Sequence, residues 1–253
     1  IFLTSASYKY RKRKVTVLRW LAIFFLMIGS VLVVVYETNA SDRRFLLPEP
    51  LGGLTIVVDA GHGGIDGGAS KGDVIESEIT LKIAQRVERQ LKRMGAEVIM
   101  TRTTAGDALS EHAPSEQFKS TRERKREDLF LRESIVQEAE ADMFITIHAN
   151  AIPNSKWRGA QIFYHKTGHP HSVHLANEVQ GSIREKLQNT DREALAIEQV
   201  YLLKKVNMPA ILVETGFISN DEERELLLNV KYQEQMADAI VRGIENYYSL
   251  RFE

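Results

Sequence analysis

Three apolar runs in this chain end in the same way. Ile56 to Val58 runs into Asp59 and then His62, in "TIVVDAGHGG"; Met143 to Ile147 runs into His148, in "MFITIHANA"; Ala210 to Val213 runs into Glu214, in "AILVETGF". Short apolar runs of this kind read as strands buried on both faces. Between them, Ile79, Ile83, Val87 and Leu91 recur at four-residue steps, an amphipathic helix over Glu76 to Met94 that Gly95 ends. Further strands are predicted at Glu97 to Thr101 and Gln161 to Tyr164. Further helices are predicted at Asp128 to Ala139, His171 to Leu187, from an Asn220 cap to Leu228, and at Tyr232 to Tyr248. Strand and helix alternate, so the fold class is α/β. The polar stretch Thr103 to Glu127, with its basic tract "KSTRERKR", reads as a long loop and a candidate to line a groove.

In open α/β sheets, sites form beyond the carboxyl ends of the strands. If the three runs are parallel neighbours, His62, His148 and Glu214 converge there. Glu76 opens the first long helix, at the end of the glycine-rich loop that carries His62, and that loop can bring it back beside the imidazole. Two imidazoles and two carboxylates at one sheet edge suggest a zinc enzyme: three protein ligands, an open position for water, and a fourth group as general base and acid. Each residue alone has a plainer reading: a turn histidine, a core histidine, a helix-start carboxylate favoured by the dipole. Glu214 is the exception, because a carboxylate ending an apolar strand needs a partner.

The loop "GHGGIDGG" does not read as a dinucleotide site. Ile65 and Asp66 interrupt the glycine spacing, and acids at the mouth repel phosphate. No HExxH helix is present. His165, His169, His171 and His174, in "HKTGHPHSVH", match no metal-ligand spacing and read as a solvated loop and helix start.

The chain has 253 residues and no cysteine, which excludes a thiol nucleophile and a cysteine metal site. Its near-neutral balance gives no signature of nucleic-acid binding. Residues 1–40 hold six basic residues and one acid, leaving 27 bases against 33 acids in the rest. After the basic region 1–19, residues 20–36 read "WLAIFFLMIGSVLVVVY", 17 residues without a charge. This is the pattern of a transmembrane anchor or export signal with its basic side in the cytoplasm. Residues 37–53 read as a linker and 54–253 as the working domain, placed outside the cytoplasm.

"VVDAGHGGIDGGA", "ESEITLKIAQRV", "VIMTR", "DLFLRESIV", "ADMFITIHANA" and "ILVETGFISN" follow one another in the order seen in the zinc-dependent N-acetylmuramoyl-L-alanine amidases of catalytic type 3, and from Thr55 to about Tyr248 the chain resembles that family. The resemblance implies a single domain with a mostly parallel, mixed sheet of about six strands flanked by helices. It implies one Zn2+ held by His62, Glu76 and His148, with Glu214 as the catalytic residue. The implied reaction is hydrolysis of the amide between N-acetylmuramic acid and L-alanine in peptidoglycan. "AIPNSKWRGAQIFYH", "VYLLKKVNMPAILVETGFISN" and the short N-terminal segment are similar to the germination-specific, spore-cortex branch. That branch implies action before a peptidoglycan deacetylase in muramic δ-lactam formation; an activator protein, and membrane attachment through residues 20–36, are further partners expected. Ser77-Glu78 departs from the family's usual Lys-Asp pair at no ligand position. A zinc peptidase cutting cross-links, and a membrane-anchored wall-binding protein without catalysis, are the competing readings. Arg132 and Asn150 are plausible contacts to substrate or to the site backbone.

Overall fold

The computed structural model describes residues 23–31 and 49–250. Residues 23–31 are helical (α1), and the remainder of the segment 20–36, with 37–48, lies outside the described residues. Among the described residues no helix is long and apolar enough to cross a membrane.

The folded body begins at Glu49. Leu51 is fully buried in the core and its N–H donates to Met94 O at 3.0 Å, so the last residues read as linker already belong to the domain. β1 (Thr55–Ala60) leads through the glycine-rich loop and a two-residue hairpin, β2 (Ser70–Lys71) and β3 (Val74–Ile75), into α2 (Glu76–Arg93). β4 (Glu97–Met100), α3 (Ala108–His112), α4 (Thr121–Glu138) and β5 (Met143–Asn150) follow. Then come β6 (Gln161–His165), α5 (Ser172–Leu187), β7 (Leu195–Ile197), α6 (Tyr201–Lys205), β8 (Ala210–Phe217), α7 (Asp221–Leu228) and α8 (Val230–Ser249). The six-stranded sheet has the order β4-β1-β5-β8-β6-β7. Every pairing is parallel except β6 with β8.

Alternate residues of the strands feed two apolar layers. Ile56, Val58, Ile145, Ile147, Ile211 and Val213 join α2, α5 and α8 on one face. Val57, Phe144 and Leu212 join the smaller layer under α4 and α6 on the other. Each fully buried aliphatic side chain is worth ~1.5–3 kcal/mol, so the sheet is held from both sides.

The stretch Thr103 to Glu127 is not one loop. It contains α3 and the first turns of α4, which begins seven residues before the predicted Asp128. Ser120 caps α4, its hydroxyl accepting from Glu123 N at 3.1 Å, while the Glu123 carboxylate accepts from Lys119 N at 2.6 Å. This is the S-x-x-E pattern of a capping box, with the carboxylate reaching one residue further back than the cap N–H, and the basic tract forms the first turns of the helix.

Under α4, the sheet buries a charge. Asp59 accepts from Thr101 Oγ1 at 2.6 Å, Thr146 Oγ1 at 2.5 Å and Arg132 Nη1 at 2.6 Å. Arg132, 2 % exposed, also donates through Nε to Asp128 at 2.7 Å. Burial opposes ionisation of Asp59, yet Arg132 and the two hydroxyls hold its carboxyl down at about 2. Breaking a buried pair costs ~3–5 kcal/mol because the remaining charge is left uncompensated. Arg132→Met should therefore lower stability by about that amount in urea unfolding, seen as a fall in midpoint at constant slope. The exposed Arg122→Met should change it by less than about 0.5 kcal/mol.

Candidate metal centre

His62, Glu76, His148 and Glu214 meet at the carboxyl-terminal edge of the sheet; His62 follows β1, while β5 and β8 run on past His148 and Glu214, which lie within them. His148 and Glu214 are direct cross-strand neighbours. Glu76 is the first residue of α2, and its N–H donates to Ala69 O at 2.9 Å, closing the loop behind it. His62 sits in that loop with φ 63°, the left-handed region that a non-glycine residue occupies at a cost of ~1–3 kcal/mol.

Two buried guanidiniums hold the loop in this shape. Arg132 donates to Ala60 O at 2.8 Å and His62 O at 2.6 Å. Arg102 donates to Ala60 O at 2.8 Å, Gly61 O at 3.1 Å and Ser77 O at 2.8 Å. The three consecutive carbonyls before and at the imidazole are thereby taken up, and Arg102 also ties the loop to the start of α2. Thr80 Oγ1 adds a bond to Gly61 O at 2.8 Å.

The side chains are oriented with equal care. His62 Nδ1 pairs with Asp66 Oδ2 at 3.0 Å, which leaves Nε2 facing Glu76 Oε1 at 3.3 Å. His148 Nδ1 lies 3.0 Å from the same oxygen. The other Glu76 oxygen accepts from Ala69 N at 2.7 Å. Lys125, from α4, donates to Asp66 Oδ1 at 2.6 Å. Burial works against the charge on His62, but Asp66 and Glu76 outweigh it and carry its pKa up to about 9. The same contacts, His148 included, hold Glu76 well below the usual carboxylate range despite its burial. Glu214 differs: burial dominates and pushes it up to about 7, with Oε2 buried and without a hydrogen-bond partner.

Three ligand atoms, one each from His62, Glu76 and His148, lie within 4.8 Å of one another. Ligands held tetrahedrally at ~2.0–2.1 Å from one zinc ion stand ~3.3–3.4 Å apart. The 3.0 and 3.3 Å separations here are close to that edge, and two imidazoles with a carboxylate are a zinc donor set. The second ring nitrogen of His62 is bound to a carboxylate, the usual support of a ligating histidine. The residues fit a metal. Among the described residues this is the one group of three such side chains within ligand distance. His165, by contrast, is buried with Nδ1 near Thr167, and His171 and His174 are exposed.

Asp66, Arg102 and Lys125 are parts of the centre that sequence patterns alone do not single out. Arg102 stands two residues after the end of β4, a polar residue near the end of an apolar strand, as His148 and Glu214 are at the ends of their apolar runs. Arg132 does contact the site backbone. The Asn150 carbonyl accepts from Ile218 N at 2.8 Å, a bond that joins the ends of β5 and β8 and does not involve the four site residues.

Fold and site together define an α/β domain with a candidate metal centre at one edge of its sheet, in which a carboxyl raised by burial stands beside the candidate ligands. The sequence profile of the N-acetylmuramoyl-L-alanine amidase family matches residues 56–246. A germination-specific N-acetylmuramoyl-L-alanine amidase of Bacillus subtilis (strain 168) is 38% identical over 232 residues, covering 92% of this chain and 95% of the relative. The CwlD amidase of Clostridioides difficile, solved in complex with the GerS lipoprotein, superposes with a TM-score of 0.73 at 37% identity, over 78% of this chain and 99% of that one. AmiC2 of Nostoc punctiforme, another N-acetylmuramoyl-L-alanine amidase, gives 0.63 at 31% identity, over 79% and 99%. The chain belongs to the N-acetylmuramoyl-L-alanine amidase family, and is a peptidoglycan hydrolase of that specificity.

The close packing of the centre leaves no room for a side chain at Gly61, where a Cβ would overlap the His148 imidazole. At Gly68 (φ +70°) a Cβ would stand 2.5 Å from Glu76 Oε2 and 2.7 Å from the His62 ring. A displacement of about 1 Å at a reacting centre costs ~100-fold in rate. Gly61→Ala should therefore reduce turnover of peptidoglycan by about that factor or more, measured as released stem peptide per unit of folded protein.

Proposed function

We propose that this amidase works with one Zn2+ held by His62, Glu76 and His148, with Glu214 as general base and acid, and that its substrate is spore-cortex peptidoglycan. The observation that carries the reading is the cluster itself: three ligand atoms within 4.8 Å, flanked by a buried carboxyl with a free oxygen. When bound, zinc supplies Lewis acidity, polarising the amide carbonyl and acidifying water. Glu214 takes the proton of the attacking water on its unengaged oxygen and delivers it to the nitrogen of the departing L-alanine. A carboxyl raised by burial to about 7 suits both halves of that transfer near neutral pH. Asp66 keeps His62 in the tautomer that offers Nε2. Arg102 and Arg132 keep the loop from relaxing.

The cortex assignment is supported by the germination-specific relative. On this reading the enzyme acts outside the cytoplasm, in the forespore space, with residues 20–36 as anchor or signal. Its product, a muramic residue freed of peptide, is the substrate of a deacetylase that precedes lactam closure. The relative solved with a lipoprotein supports an accessory protein as activator.

Glu214→Gln should bind zinc as tightly as the wild type and lose ~100–10,000-fold in kcat, the contribution of general acid–base catalysis. His62→Ala and His148→Ala should lose the ion itself, read as zinc per protein by atomic emission. The sign of the pH dependence follows: Glu214 works ionised, so wild-type kcat/KM should fall as pH drops through its pKa, at or below about 7 with the cation beside it. Undiminished turnover by Glu214→Gln, or full zinc in both histidine variants, contradicts these roles.

A further inference from the structure

Next to the metal ligands the sheet carries a second built feature that the hydrolysis does not use. His148, Glu214 and Gln161 stand opposite one another on β5, β8 and β6. Residues paired in this way project to one face, so the three form a row across the sheet edge. Gln161 Oε1 accepts from Arg192 Nη1 at 2.9 Å, and Arg192 Nε donates to Arg158 O at 3.3 Å. The guanidinium lies 4.9 Å from the ring centre of Trp157 and 5.4 Å from that of Phe217. Among the described residues it forms no ion pair with a carboxylate, although its charge is felt at Glu223. The acids around it are otherwise engaged: Glu193 with Arg184, Glu222 with Arg158, and Glu223 with the N–H groups of Gly159 and Phe217. Trp157 is 47% exposed. A cation fixed by two hydrogen bonds and two rings, with Nη2 unengaged, is a preorganised anion receptor.

Its distance from the reacting centre selects the anion. Adjacent strands lie ~4.8 Å apart, so the backbone of Gln161 is ~10 Å from that of His148. An extended peptide spans ~3.3–3.6 Å per residue, which puts a group on the second residue of the stem ~7–10 Å from the scissile amide. In peptidoglycan the second residue is a D-glutamate joined onward through its γ-carboxyl, so its α-carboxylate is a free anion at that distance. We propose that Arg192, walled by Trp157 and held by Gln161, is a specificity residue that binds this α-carboxylate. The proposal rests on the amidase reading. It adds that the enzyme distinguishes stem peptides whose second residue carries the free acid from those in which that group is amidated.

The test uses the zinc-loaded full chain and two muropeptides that differ only in α-carboxylate against α-carboxamide at the second residue. A charge-assisted bond is worth about tenfold or more, so the wild type should prefer the acid by at least about tenfold in kcat/KM, chiefly through KM. In Arg192→Met, which keeps the apolar stem on Trp157, that ratio should fall to about one, and Arg192→Lys should restore part of it. A merely structural Arg192 would lower both substrates together and leave the ratio intact. No preference in the wild type, or a preference that survives Arg192→Met, overturns the subsite and leaves the amidase reading standing. Calorimetric binding of the same two ligands to Glu214→Gln probes the subsite without turnover. Selective binding of the acid supports the subsite even if neither ligand is hydrolysed, an outcome that would count against the amidase reading alone. Equal or absent binding overturns the subsite.

Discussion

Arg102 and Arg132 are buried against the same short piece of backbone, and the centre depends on them. Between them they occupy the carbonyls of Ala60, Gly61 and His62, where β1 turns over the sheet edge. The turn forces His62 into a left-handed conformation and needs bare backbone at Gly61 for His148 to approach. Neither condition is favourable for an isolated chain. Charge-assisted hydrogen bonds of ~1.5–3 kcal/mol each offset that strain, and their charges are in turn balanced by Asp59 and Asp128. The loop is as rigid as the sheet because it is bonded to groups that the sheet itself buries.

Rigidity here has a chemical purpose. Two separations between candidate ligand atoms, from Glu76 Oε1 to His148 Nδ1 and to His62 Nε2, are already close to a tetrahedral edge, and all three atoms lie within 4.8 Å of one another. Glu214 stands opposite His148 on the next strand, but without the hydrogen bonds that surround Glu76, so burial prevails and raises its proton affinity. Two carboxylates at one sheet edge thus acquire opposite characters. Glu76, surrounded by donors, stays an anion; Glu214, left with an unengaged oxygen, can exchange a proton.

Much of this is legible in the sequence because strands buried on both faces are apolar runs, and polar residues at their ends are conspicuous. His148 and Glu214 stand out in that way, and Glu76 from its place at a helix start after the loop. Arg102 carries the same signal, after Met100 and Thr101, yet its role shows only when the sheet order places β4 beside β1. Asp66 and Lys125 cannot be paired from spacing, since one lies in a tight turn and the other on a helix whose sequence reads as loop. The start of α4 escapes a periodicity argument because it is polar nearly all round: only Asp128, Arg132 and Val136 are buried along it. The signal that marks it is local, the Ser120 to Glu123 capping box. β7 and α6, of three and five residues, are too short for any periodicity to register.

We propose that the sheet edge builds a metal-dependent amidase centre. It is tested most directly by digesting purified peptidoglycan with the zinc-loaded protein and with the same protein after chelation, and identifying the new ends by mass spectrometry. Glycan strands with free lactyl groups and peptides beginning at L-alanine are expected, from the loaded protein only. Cuts within the stem peptide or cross-bridge, or the same products at the same rate after zinc has been removed, would contradict it.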